Sequence, residues 1–395
     1  MQPTERFYEA DAYRTSASSV ITAALPLEGG GGRIALAGTV FYPEGGGQPA
    51  DRGVLTLPGG ASLAVTDVHE KEGVIWHRVD RLPPDAAPGV PVDQQIDWAW
   101  RFDKMQQHTG EHILSGTLHR LFGAENVGFH IGSEAVRMDT SVPISPEGLR
   151  QAETEANRFV WQDLPVRVLY PSPEQLAHMT YRSKKEIAGQ VRIVAIPGAD
   201  TCACCGTHVS SSGQVGLVKL LSCQKFRSGV RIELVCGGRA FAFLSKVWEQ
   251  NHQISNLTSA KLLETAPAVE RLLGENQALK SRILTLEDAR FAALAQQYQG
   301  AGDVVLFEED LRPDGLRRLT AAVQAACGGR CACFSGRDGQ GYQYAIGQPG
   351  GELRPLVKEL NQALQGRGGG KPDFVQGSVA AGRAEIEHFF QTHTP

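Results

Sequence analysis

Three features of the sequence predict an α+β multidomain protein. Short apolar runs near the N-terminus are broken by glycine and proline turns. One long proline-free helical pattern is followed by alternating strands and helices, and a heptad-spaced stretch precedes a last α/β segment. With 395 residues, 42% hydrophobic and 21% charged, the chain can bury more than one core and suggests about two to three domains.

Residues 1–85 hold the runs 33–36, 53–57, 63–65 and 74–76, which predict short strands of a small β-barrel carrying a glycine-rich loop. Pro83, Pro84, Pro88 and Pro91 then read as a connector. Residues 86–240 read as one α+β domain. Its main helix runs from about 96 to 122, where Trp98, Phe102, Met105, Ile113, Leu118 and Leu121 recur at helical intervals, and a second helix covers 146–161. Strands are expected at 165–169, 191–196 and 215–221. Residues 241–298 become helical, with Val269, Leu272, Asn276, Leu279, Ile283 and Leu286 stepping by three and four. That rhythm fits an antiparallel hairpin within one chain or a coil between two copies, and Thr265 to Pro267 can start the second helix. Residues 299–395 alternate strand and helix, a compact C-terminal α/β domain.

A formal charge of −4 argues against a surface that grips nucleic acid throughout, although Arg182, Ser183, Lys184, Lys185 and Arg192 form one basic patch and Lys225, Arg227 and Arg231 another. The N-terminus lacks a basic start and apolar h-region, and no apolar run reaches the ~18 residues of a membrane span. A cytoplasmic location without a membrane partner is expected. Of eight cysteines, three crowd into 202–205, a pattern of metal or thiol chemistry rather than of a disulfide framework. Cys327, Cys331 and Cys333 have no histidine nearby and read as buried thiols.

The strongest chemical pattern is His108-Thr-Gly-Glu-His112 within the predicted helix. Residues four apart share a helix face, so both imidazoles can reach one ion. Cys204-Cys-Gly-Thr-His208 adds a Cys-x3-His pair in a glycine-containing turn, and the two pairs together suit one tetrahedral Zn2+ per chain. Cys202 and Cys205 are alternative sulfur ligands. Four protein ligands normally make a closed structural site, whereas catalysis leaves a position for water. The same histidines and Glu111 also match the H-x-x-E-H of inverted zincin peptidases. A zinc-stabilised RNA-binding module without catalysis is a further alternative.

The loop Phe41-Tyr-Pro-Glu-Gly45-Gly46-Gly47-Gln48-Pro-Ala-Asp-Arg-Gly53, the two ligand pairs, and Ser228-Gly-Val-Arg231-Ile-Glu233 follow one another in order. In these motifs the chain resembles the stand-alone alanyl-tRNA editing proteins, and it is similar to the editing domain of alanyl-tRNA synthetase and more distantly to that of threonyl-tRNA synthetase. Gly368-Gly369-Gly370-Lys371-Pro-Asp-Phe-Val-Gln-Gly-Ser378 resembles the DHHA1-type domain that holds tRNA, which makes this the long form. One departure is Cys205, where the family commonly has glycine.

The resemblance implies a trans-editing hydrolase that removes serine, and also glycine, from mischarged tRNA(Ala), with no aminoacylation module ahead of the barrel. It implies that Thr39 senses the serine hydroxyl; His130, in Gly128-Phe-His-Ile-Gly132, and Gln107 are further candidates for the same cleft. Gly45, Gly46, Gly47, Gln48, Arg231, Gly368, Gly369, Gly370 and Lys371 would meet substrate or tRNA. A homodimer through 241–298 is a further expectation.

Overall fold

The computed structural model describes residues 1–183 and 189–393, so Lys184 and Lys185 of the first basic patch lie outside the described residues. The chain divides into two compact units, 1–251 and 252–395.

The first unit opens with six strands that close into an antiparallel barrel: β1 (Ser16–Pro26), β2 (Gly32–Leu36), β3 (Gly53–Thr56), β4 (Ser62–Lys71), β5 (Val74–Val79) and β6 (Pro91–Ile96). Around the barrel the order is β1-β2-β5-β4-β3-β6. Ile21, Ile34, Leu55, Leu63, Ile75, Val92 and Ile96 fill its interior. The prolines after 83 do not mark a simple connector, because they lead into β6, whose alternate residues Val92, Gln94 and Ile96 point inward. The barrel therefore ends at Ile96 and not at 85, since β6 closes it by pairing with both the first and the third strand, each of which would otherwise have one open edge.

Helix α1 (Trp98–Phe122) follows at once. The Asp97 side chain caps it by accepting from Trp100 N (3.1 Å), and Gly123 ends it in the left-handed conformation. Trp98 packs against both the barrel core and the core of the next domain. That second core lies between α1, α2 (Pro146–Trp161) and a four-stranded sheet. The sheet strands are β7 (Asn126–Ile131), β8 (Val136–Thr140), β12 (Val218–Phe226) and β13 (Gly229–Cys236), in the order β12-β13-β8-β7. A smaller sheet joins β9 (Arg167–Leu169), β10 (Ile193–Ile196) and β11 (Asp200–Ala203). The strand expected at 215–221 begins later, at Val218, because Ser212–Val215 form a 3-10 turn and Gly216 takes φ +77°.

The heptad region forms two helices, α3 (Gly237–Thr258) and α4 (Thr265–Gln297). In the second unit, β14 (Gly302–Glu308), α5 (Pro313–Cys327), β15 (Gly328–Arg337), β16 (Gly341–Gly347), α6 (Arg354–Ala363), β17 (Arg367–Lys371), β18 (Phe374–Val379) and α7 (Arg383–Thr392) follow. They build a five-stranded sheet of order β14-β15-β16-β18-β17. Phe291 and Ala295 near the end of α4 belong to its core beside Leu316, Leu319 and the buried thiols Cys327, Cys331 and Cys333. The glycine run is not a loop, since residues 367–371 pair with β18 as the exposed end strand β17. No described helix is long and apolar enough to cross a membrane.

Candidate metal centre

Helix α1 presents His108 and His112 one turn apart, and the turn after β11 brings Cys204 and His208 to meet them. One ligand atom from each lies within 4.8 Å of the other three. Cys204 Sγ stands 3.4 Å from His108 Nε2 and 3.4 Å from His208 Nε2. Tetrahedral zinc, with bonds of about 2.0–2.1 Å to nitrogen and about 2.3 Å to sulfur, would set such a nitrogen–sulfur edge near ~3.5 Å. The donor set and its spacing fit one zinc ion. Of the three clustered cysteines, Cys204 supplies this sulfur, whereas Cys202 is buried beside Asp200 and Cys205 is exposed.

Each imidazole is oriented by a different partner at Nδ1. Gln48 Oε1 meets His108 Nδ1 (2.8 Å), Asp200 Oδ2 meets His112 Nδ1 (2.9 Å), and Thr109 Oγ1 meets His208 Nδ1 (3.1 Å). With Nδ1 engaged, all three rings turn Nε2 inward, the usual means by which a protein fixes the tautomer of a ligating histidine. The partners are themselves held. Arg182 donates twice to Asp200 (2.8 and 2.9 Å), Thr207 N donates to Gln48 Oε1 (3.2 Å), and Val209 N donates to Thr109 Oγ1 (3.2 Å).

The electrostatics follow from this packing. Burial opposes the Cys204 thiolate, yet His108 and His208 beside it hold its pKa well below the usual thiol value. Burial, and then the neighbouring His108, push His208 down to about 3. Burial also disfavours the His112 imidazolium, but its bond to Asp200 and the nearby Cys204 carry its pKa well above normal. That proton gives way when a cation binds, because a metal ligand must present a bare Nε2.

The glycine-rich loop reaches the site because a buried ion pair fastens it to α1. Arg101, which is fully buried, donates to both Asp51 oxygens and to Val40 O (2.7 Å), while Tyr42 N donates to Asp51 Oδ2 (2.6 Å). Gly47 adopts φ +84° with the Phe129 ring and carbonyl packed where a side chain would start. Gly206 lies so close to the His108 ring that a Cβ would overlap it. The cleft above the cluster measures about 530 Å³, within the range of small-molecule sites, and Gly46, Gly47, Glu111, Phe129, Arg182 and Cys205 are among its walls.

Not every expected residue reaches this cleft. Thr39 is fully buried in the barrel, where His77 (2.8 Å), Gln94 (2.9 Å) and Phe41 N (3.1 Å) use its hydroxyl. Gln107 points from the other face of α1 and ties it to β13 through Cys236 O (2.9 Å) and Cys236 N (2.8 Å). His130 is exposed. Strand alternation turns its neighbour Phe129 inward instead, and that ring stacks on His108 at 4.9 Å. Arg231 pairs with Asp139 (2.7 Å) and covers the Phe226 ring at 3.9 Å, and it does not line the cleft. Gly45 closes the loop turn against Gln48. Gly368, Gly369, Gly370 and Lys371 belong to the second unit. Asp200, Arg182, Asp51 and Arg101 were not singled out as site residues from the sequence, because each acts through a partner distant in the chain.

Residues 191–233 match the family described as the threonyl and alanyl tRNA synthetase second additional domain, and residues 18–100 match the tRNA synthetases class II (A). The alanyl-tRNA editing protein AlaX-L of Pyrococcus horikoshii is 28% identical over 370 residues, which cover 89% of this chain and 89% of that protein. The alanyl-tRNA editing protein Aarsd1 of Danio rerio is 27% identical over 93% of this chain and 92% of its own length. The alanine–tRNA ligase of Pyrococcus abyssi is 32% identical over 88% of the chain, but only 39% of the ligase is covered.

Proposed function

Because the chain is a relative of the alanyl-tRNA editing proteins over nearly nine-tenths of its length, we propose that it is an aminoacyl-tRNA hydrolase that clears mischarged tRNA(Ala). Serine is the principal amino acid removed, with glycine beside it. A pocket that accepts alanine rejects an added hydroxyl by only about a hundredfold, so a second, hydrolytic site is needed for fidelity.

The observation that carries this reading is the convergence of His108, His112, Cys204 and His208 in one cluster, the first three of which line one cleft. These four side chains would hold the zinc ion, which when bound supplies Lewis-acid polarisation of an ester carbonyl or a more acidic water. The rest falls to the chain. Gln48, Asp200 and Thr109 keep the three rings aimed, so that little reorganisation is needed as the ester arrives. The Gly46–Gly47 backbone and Phe129 shape the wall against which the terminal nucleoside and ester are oriented. In the second unit, the exposed strand β17, with Arg367 and Lys371 at its ends, is proposed to meet tRNA phosphates through backbone N–H groups and cations.

The test is release of serine from seryl-tRNA(Ala) by the zinc-loaded protein, with His108→Ala alongside. We expect turnover by the wild type and a loss of about a hundredfold or more in the variant, the scale of removing a metal ligand. Absence of hydrolysis by zinc-loaded wild type would defeat the proposal and leave an RNA-binding module. Casein cleavage would point instead to a peptidase.

A further inference from the structure

We propose that Glu111 anchors the α-amino group of the substrate and thereby restricts the cleft to aminoacyl esters whose amine is unblocked; this rests on the hydrolase reading above. Positions 108, 111, 112 and 115 share one helix face, because a turn of 3.6 residues places i, i+3, i+4 and i+7 within roughly 100°. All four side chains line the same cleft. Two are imidazoles of the metal cluster, and Ser115 Oγ is engaged by Arg182 (2.6 Å). Glu111 is not among the clustered ligand atoms.

Glu111 is only 1% exposed, and Asn126 Nδ2 donates to its Oε1. Among the described residues no other hydrogen bond reaches the carboxylate, and Glu111 lines the cleft, which leaves Oε2 to a ligand held there. A carboxylate can only accept, so what it takes from a ligand is a donor, and a buried anion is best matched by a charged one. In an aminoacyl ester the reacting carbonyl and its ester oxygen are acceptors. The amine lies two bonds from the carbonyl carbon and is present whatever the side chain. Glu111, adjacent to His112 and three residues from His108, holds a carboxylate beside the place where the imidazole cluster would face the ester. A peptidyl or N-acylated ester has lost that cationic donor, so the cleft would spare tRNA carrying a growing peptide.

The experiment compares seryl-tRNA(Ala), alanyl-tRNA(Ala) and N-acetyl-seryl-tRNA(Ala) as substrates for the zinc-loaded full chain and for Glu111→Gln. Circular dichroism and zinc content verify the fold of the variant. Wild type should favour the free amine roughly tenfold to a hundredfold in kcat/KM, the scale of one charge-assisted hydrogen bond. Glu111→Gln should lose that preference, its kcat/KM on both free-amine esters falling to the level of the N-acetyl ester. Equal wild-type rates with and without the acetyl group overturn the anchor and leave the hydrolase standing. An equal fall on all three esters assigns Glu111 to bond cleavage, and a loss confined to the seryl ester assigns it to the hydroxyl; either overturns the proposal. Hydrolysis of none by wild type removes the hydrolase reading itself and the anchor with it.

Discussion

At the scale of single residues, the site is a set of side chains each fixed by one specific bond. The chain His112, Asp200, Arg182 is the clearest case: the Asp200 carboxylate orients the ring and Arg182 holds the carboxylate. Asp200 has its pKa lowered because, although burial opposes the charge, His112 and Arg182 stabilise it more. Asp200→Asn keeps the shape but removes the charge. Zinc affinity is expected to fall about tenfold to a hundredfold, as is usual when such a supporting partner is lost. Competition against a chromophoric chelator measures this, and an unchanged affinity would mean that His112 needs no orienting partner. Thr39 carries the opposite lesson. A polar residue beside a motif can be spent entirely on its own surroundings, and here three bonds within the barrel account for its hydroxyl.

At the scale of elements, α4 leaves an apolar stripe uncovered within its own unit: Leu272, Leu279, Ile283 and Leu286 are each exposed by 45% or more. We propose that a second copy covers it, since a heptad seam is stable in water only when paired. Placing charges on it with Leu279→Glu and Leu286→Glu should convert a dimer to a monomer in sedimentation velocity; a wild-type monomer at micromolar concentration would refute the pairing. The four clustered side chains are legible in the sequence because their spacing is local, with one helical turn aligning His108 with His112 and one short turn linking Cys204 to His208. The orienting roles are not: the sequence names Gln48 only as a substrate or tRNA contact and Asp200 not at all, because they reach their histidines across 60 and 88 residues of chain. Strand β6 reads as part of a connector in the sequence because Pro91 at its start, and Pro83, Pro84 and Pro88 before it, mask the inward alternation of Val92, Gln94 and Ile96. The glycine run was legible in composition but not in conformation, since only pairing with β18 makes it a strand.

At the scale of the molecule, the two compact units suggest a division of labour. A shortened chain ending with α3 at Thr258 keeps the barrel, both sheets of the α+β domain and every cluster ligand. It is expected to fold, bind one zinc ion and retain kcat on seryl-tRNA(Ala), while KM for the whole tRNA rises on the order of tenfold as a second binding module is lost. Steady-state deacylation with intact tRNA reads the split, and an unchanged KM would deny the second unit a part in binding. The end strand of that unit has one more consequence, for the colloidal behaviour of the protein. An open row of backbone donors and acceptors invites a strand from another molecule, and runaway pairing of that kind precipitates proteins. In β17 the three central residues have no side chains to interlock, and a cation stands at either end. Two such strands brought edge to edge would set like charges together, so the chain can leave this edge open without becoming a seed for its own aggregation.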